Sequence, residues 1–349
     1  MKKTIALSLI FISAVFAHPS GAEDKSVVTD AEKAAIRARE TVAEKAPQKD
    51  GEKPTQKKTQ DAPKISGEKA AFTLTVGKRT DNLDWNIAGN LSGTNPNVLS
   101  ELKWKDLSIF QIKAAGRGTI KEVFFLRGAF GIGFIYDGKN QDSDYSCDDR
   151  RCEFSRSDNK ADTGSVRDFT FGGGFKNTVA LKNGVFTVIP LIGFSQHNQN
   201  LKITDGYQTI PATGAFGGLN SSYKARWRGP WAGLDIGYSS EGRGLALTGT
   251  FEYHVVSYHA EADWNLRADF AHPKSFEHNA NGTGYVAAIG ADYRLKRNWG
   301  VYAGLDYLKF KTSRGTDRTY FSDGAMSDTR LNEVNWRSHS VNAGFRRRF

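Results

Sequence analysis

From about residue 70 onward, large apolar residues alternate with small or polar ones at a period of two. That is the pattern of a strand with one face in an apolar environment. The clearest stretch puts Phe124, Leu126, Phe130, Ile132, Phe134 and Tyr136 on one face and Arg127, Ala129, Gly131 and Gly133 on the other. A second sets Tyr285, Ala287, Ile289, Ala291, Tyr293 and Leu295 against Ala288, Gly290, Asp292 and Arg294. A third sets Phe169, Phe171 and Phe175 against Asp168 and Thr170. Large residues so uniformly on one side, with glycine and charge opposite, suit a narrow barrel with a crowded interior better than a soluble sandwich. The alternation predicts ten strands, at 70–88, 99–117, 122–138, 166–181, 185–203, 222–239, 243–264, 283–296, 299–314 and 334–349.

The connections alternate in length. Short polar turns fall near 118–121, 182–184, 240–243 and 296–298, and long polar stretches at 138–165, 204–221, 265–282 and 315–333, with a shorter one at 89–98. Short turns on one side and long loops on the other are the pattern of outer-membrane barrels, long loops outside. The predicted fold class is therefore all-β, a ten-stranded antiparallel transmembrane β-barrel with both ends in the periplasm. Two strands change phase partway, at Gly229-Pro230 and near Val255-Val256, which predicts β-bulges. Trp85, Trp104, Trp264, Trp299 and Trp336 lie near predicted strand ends and are expected in the interfacial aromatic girdles.

Composition extends this picture. Residues 1–22 carry a basic start, a short apolar core from Ile5 to Phe16 and small residues for cleavage, as in a signal peptide. Residues 23–69 are rich in Lys, Glu, Ala, Gln and Pro and predict a flexible periplasmic leader. Thr29 with Glu32 forms a capping box before a short helix. The mean hydropathy of -0.51 does not argue against a barrel, because lipid-facing and lumen-facing residues average out. The net charge of +10 is read toward lipopolysaccharide phosphates rather than nucleic acid. Cys147 and Cys152, the two cysteines, sit in one polar loop and are expected to form a disulfide, not a metal site. No cofactor or metal is indicated, and a monomer is expected.

The final strand runs through Val341, Ala343, Phe345 and Arg347 to Phe349, and resembles the closing strand of bacterial outer-membrane barrels, implying recognition by the barrel-assembly machinery. Ten strands in this loop order resemble the omptin fold over roughly 70–349. The stretches Asn95-Pro96-Asn97-Val98-Leu99-Ser100-Glu101-Leu102-Lys103-Trp104, Asn140-Gln141-Asp142-Ser143-Asp144-Tyr145 and Ala271-His272-Pro273-Lys274-Ser275-Phe276-Glu277-His278 resemble a porin-like branch, the Protochlamydia outer-membrane proteins. Omptins proper are surface endopeptidases, in which an Asp-x-Asp pair and an Asp-x-His pair activate a water. Asp142 and Asp144 match the first pair. The fourth long loop lacks the second and offers only Asp269, His272 and His278, so a solvated acidic loop competes with a relocated dyad.

The strand phase predicts a lumen lined by Arg127, Glu252, His254, His259, Glu261, Asp263, Asp292, Arg294 and Asp306, since charges at membrane depth survive facing inward and paired. These residues form either a polar conduit or a plug, with closure favoured in so small a barrel. The same phase points Lys224, Arg226 and Arg228 inward, away from lipid. The functional expectation is a non-enzymatic porin-like or structural, surface-interacting protein of the outer membrane. The alternative is an omptin-type surface aspartyl endopeptidase.

Overall fold

The computed structural model describes residues 69–349 apart from Arg243. The expected signal peptide, leader and helix lie outside these residues. The described chain forms thirteen strand segments: β1 (Ala70–Ile87), β2 (Ser100–Ile120), β3 (Phe124–Cys147), β4 (Arg151–Lys160), β5 (Gly164–Phe175), β6 (Asn177–Leu181), β7 (Gly184–Ile210), β8 (Gly214–Ser240), β9 (Leu245–Asp263), β10 (Phe276–Arg294), β11 (Trp299–Thr312), β12 (Gly315–Tyr320) and β13 (Met326–Arg348). Segments β4 to β6 stand in line beside β7, and β11 and β12 in line beside β13, so the wall has ten staves. Pairing of β1 with β13 closes the ring, which leaves no free edge along the barrel wall. Ala71 and Arg348 pair at one end, here the turn end. The long connections gather at the other, the loop end.

Most of the expected long loops are strand. β3 runs on to Cys147 and returns as β4, β7 runs on to Ile210, and β12 and β13 fill most of 315–333. Their outward residues are polar, which reads as loop, but the hairpin ladders continue without lipid. What remains irregular is short: 88–99, 148–150, 161–163, 211–213, 264–275 and 321–325. The turn after Cys147 places Asp149, Arg150 and Cys152 at positive φ, and a disulfide joins Cys147 to Cys152.

No bulge interrupts β8 or β9 where the phase changes. Their register runs evenly from Ser222 opposite Asp263 to Ser239 opposite Ala246. Alternation is continuous, and what changes is the medium. On β8, Tyr223, Ala225, Trp227 and Trp231 all point inward and are buried, and the outward residues pass from Lys224 and Arg228, exposed, to Leu234 and Ile236, exposed to lipid. The expected inward placement of Lys224, Arg226 and Arg228 is therefore reversed. The same holds on β9, where Tyr258, Ala260 and Ala262 are buried and His259, Glu261 and Asp263 face outward rather than into the lumen.

The barrel is thus two halves with opposite interiors. Toward the turn end, outward Phe, Leu, Val and Tyr side chains form an apolar belt, including Phe72, Leu74, Phe124, Leu126, Ile289, Leu305, Val341 and Phe345. That is the geometry of a membrane-spanning barrel. Its interior is polar. Arg346 and Arg348 hold Asp292. Asp306 takes Asn342 at 2.7 Å and Lys113 at 3.4 Å. Arg127 joins Asp235 at 3.0 Å and Glu252 at 2.7 Å, and stacks on Trp231. Glu252 is in turn 2.8 Å from His254, whose other ring nitrogen is 3.0 Å from Ser195. Arg294, also expected in the lumen, is exposed at the turn end. Glycine makes room for this filling: a Cβ at Gly172 or Gly193 would stand 2.4 or 2.3 Å from the Trp231 ring.

Toward the loop end the interior is an apolar core. Leu83, Trp85, Leu102, Trp104, Ile109, Tyr223, Trp227, Tyr258, Phe310 and Trp336 pack together. The girdle expectation fails for Trp85, Trp104 and Trp336, which are 0–3% exposed inside the barrel. Trp264 is partly buried and packs against Phe276. Trp299 alone of the five is exposed, at the turn end under Arg347. Tryptophan near a strand end suggests an interface, but these strands continue past the lipid, where an indole has water outside and a core inside. The halves meet where Arg79 lies over Trp336 and binds Asp81 at 2.7 Å, with Asp168 bridging to His197 at 2.8 Å.

Candidate functional site at the loop end

Asp142 and Asp144 sit two apart on the inward face of β3, opposite Leu102 and Ser100 of β2 and Ser157 and Ser155 of β4. Burial pushes the Asp142 carboxyl up to about 8, and its neighbour Asp144 adds to the shift. Trp264 hydrogen-bonds Asp142, and Arg267 opposes the shift by its charge. Burial also raises Asp144, against hydrogen bonds from Ser100 and Ser155 and the charge of Arg267. Two carboxyls this close cannot both ionise easily, so the pair holds a proton at neutral pH.

The 264–275 connection rearranges the expected partners. Asp269 is exposed and bound by Arg267 at 2.8 and 2.9 Å, so it does not orient a histidine. His272 instead folds back onto Asp263 at the end of β9, with Nδ1 2.6 Å from its carboxylate. The sequence sets His272 beside Asp269, whereas the fold brings it to Asp263, across eight residues of intervening chain. His278 leaves the candidate set. It is 0% exposed, with Nδ1 2.8 Å from the Tyr223 hydroxyl, Nε2 3.1 Å from Asp317, and the Trp85 ring against its edge. It belongs to the core.

The crown around these residues is tied down. Glu101 receives Arg150 at 2.8 Å and Lys103, and these partners hold its carboxyl below the ordinary range against the cost of burial. The backbone N–H of Asn97 donates to Asp148 at 2.7 Å, and its side chain exchanges bonds with Asp149. Arg330 donates to the carbonyls of Ser92 and Gly93. Residues 88–99, the disulfide turn and the start of β13 are thereby joined.

A second surface lies on the outer wall, where the polar loop half meets the apolar belt. A groove of about 600 Å³ is lined by Arg167, Asn198, Lys224, Arg226, His259 and Glu261, among others. Below it on the same strands stand Phe169, Phe171, Phe194 and Val255, exposed to lipid. Its polar and basic residues were present in the alternation, but the phase change concealed which way they point.

The model of a family described as Pom, Protochlamydia outer membrane protein, matches residues 73–349. No curated protein matches the chain in sequence. Among solved structures, the outer membrane protease OmpT from Escherichia coli aligns with a TM-score of 0.66 at 16% identity, covering 81% of this chain and 98% of that one. OprG from Pseudomonas aeruginosa aligns at 0.34 and 11% identity, covering 81% and 97%. The translocator domain of the autotransporter NalP from Neisseria meningitidis aligns at 0.34 and 12%, covering 82% and 90%. At these identities the likeness is one of fold, and the omptin-like barrel is the fold it supports.

Proposed function

This chain belongs to the Protochlamydia outer membrane protein family, and on that footing we propose that it is a closed, non-catalytic outer-membrane barrel that presents a rigid crown at the cell surface. The observation that carries this reading is the filled lumen. Trp104, Trp227, Trp336, Tyr223 and Phe310 are essentially without exposure across the loop half, above ion-paired layers in the membrane half. A conducting pathway would need water at one of these layers. Long hairpins tied by the disulfide and by Arg330 favour a surface that interacts or supports rather than a mobile gate. The test is single-channel recording of the refolded barrel in a planar bilayer. No stepwise conductance is expected. Stable, reproducible steps from the unaltered protein would reject closure in favour of a narrow pore.

Lipopolysaccharide is the partner this reading implies. Arg167, Lys224, Arg226 and Arg228 stand outward just above apolar side chains, matching phosphates over acyl chains. Binding is expected to weaken when the lipid is dephosphorylated. Equal binding of both forms would remove this partner.

A second reading, surface proteolysis, is favoured by one observation. Asp142 and Asp144 lie at the loop end, as does an Asp263–His272 pair, and Trp264, next in sequence to Asp263, hydrogen-bonds Asp142. It ranks below the first because Asp142 and Asp144 point inward from β3, whereas Asp263 lies on the outward face of β9 and keeps His272 to itself. The test is a mixed peptide library with lipopolysaccharide, beside an Asp142→Asn/Asp144→Asn double variant. Cleavage by the unaltered protein, lost in the double variant and in His272→Ala, would make this the primary reading.

A further inference from the structure

On the outer wall at the loop end, the β9–β10 ladder sets Glu261 directly opposite Glu277 and His259 directly opposite Asn279. Like charges in direct cross-strand opposition are unfavourable unless a cation stands between them. The network also fixes the histidine. Asn279 donates its amide N–H to Glu277 at 3.3 Å, so its carbonyl oxygen faces His259 Nδ1 at 2.8 Å. In the neutral imidazole Nδ1 therefore carries the proton and donates, which leaves the Nε2 lone pair on the side of Glu261, 3.5 Å away. Three lone-pair groups thus converge, their ligand atoms all within 4.8 Å of one another. A histidine held by a hydrogen bond on one nitrogen, with the other presented beside carboxylates, is how protein metal ligands are oriented.

The cation now serving the two carboxylates is internal. Lys274 Nζ reaches Glu261 at 3.1 Å and also contacts Glu277, with its ammonium over the Tyr320 ring. It does not satisfy His259. We propose that His259, Glu261 and Glu277 form a site for a divalent transition metal of the zinc class, with Lys274 as the cation displaced on binding. One nitrogen and two oxygens leave a fourth position for water, the open arrangement zinc accepts. Ligand atoms around such an ion stand about 3.3 Å apart, so the carboxylates close in by roughly 1 Å once the lysine leaves. The groove beside His259 and Glu261 gives the ion access. Lys224 opposite Glu261, Arg226 opposite His259 and Arg318 opposite Glu277 oppose a dication, which sets the affinity below that of a closed structural site.

The experiment titrates the refolded full-length chain in detergent with zinc by calorimetry and with cobalt by visible absorption, folding being checked by heat-modifiable gel mobility. One ion per chain is expected. Lys274→Met should tighten binding about tenfold by removing the competitor, whereas His259→Ala and Glu277→Gln should weaken it at least tenfold. Asn279→Ala should weaken it about tenfold through loss of the hydrogen bonds that orient His259 and Glu277. Unchanged binding in His259→Ala would mean an adventitious ion on an acidic surface and overturn the site. So would absence of binding in both the unaltered chain and Lys274→Met.

Discussion

Along β8, the inward residues of the turn half are Gly233, Asp235 and Gly237, and the outward ones are Leu234, Ile236 and Tyr238. In the loop half of the same strand, Tyr223, Ala225 and Trp227 point inward and Lys224, Arg226 and Arg228 outward. One backbone, with one register and no bulge, carries two opposite side-chain programmes. In lipid the outer face already rests in an apolar medium, so burying apolar groups inside gains little, and the interior holds paired charges instead. Above the lipid, water surrounds the wall and the hydrophobic effect acts in its ordinary direction. Each fully buried large side chain there is worth roughly 1.5–3 kcal/mol. The contrast shows that side-chain phase in a barrel strand cannot be read without knowing the height of the residue.

The contrast can be broken most sharply at Trp336. Trp336→Ala is expected to cost about 3–5 kcal/mol in the loop half, because it empties core volume and removes the indole bond to Asp81. Hydrogen exchange should rise in β12 and the upper parts of β1 and β13 while the membrane half stays protected. Trp336→Phe should recover most of the loss. Uniform exchange across both halves would show that they are not separate in stability.

A smaller effect tests the outer face of a single strand. Ile236→Lys places a charge in the apolar belt and is expected to cost about 2–4 kcal/mol in refolding into bilayers. Lys224→Ile, twelve residues up the same face, should change stability by no more than about 0.5 kcal/mol. Equal costs would place both residues in the same medium.

The disulfide tests how far the crown depends on its ties. Replacing Cys147 and Cys152 together by serine removes the constraint on a short loop, worth about 2 kcal/mol in the chain-entropy account. The loss should be confined to 88–99 and the β3–β4 tip, since the Asn97 bonds to Asp148 and Asp149 then join more mobile segments. Limited proteolysis at the tip would report it.

The remaining test is a titration. Asp142 stands near 8 when folded, above an ordinary carboxylate at about 4, so the folded chain keeps a proton there that the unfolded chain releases. Stability from this group is fully present below about pH 4 and is lost as pH rises through 8. Because Trp264 bonds Asp142, tryptophan fluorescence should show a transition near pH 8 that is absent in Asp142→Asn.

What the sequence by itself determined is the barrel: the period-two alternation, the short turns and the number of staves all follow from backbone geometry and local residue preference. The disulfide was legible from two cysteines in one polar segment. So were Arg127, Glu252, His254, Asp292 and Asp306, because charge inside an apolar alternation can survive only facing inward. The Asp142–Asp144 pair was legible as a motif, but its held proton was not, since that depends on burial supplied by other strands. Only the tertiary structure decided which way Lys224, Arg226, His259 and Glu261 face, because the same alternation means opposite things in lipid and in water. It alone decided that Asp263, not Asp269, meets His272, and that Glu261 stands opposite Glu277. Such contacts arise from strand register and loop return, and local sequence carries no record of either.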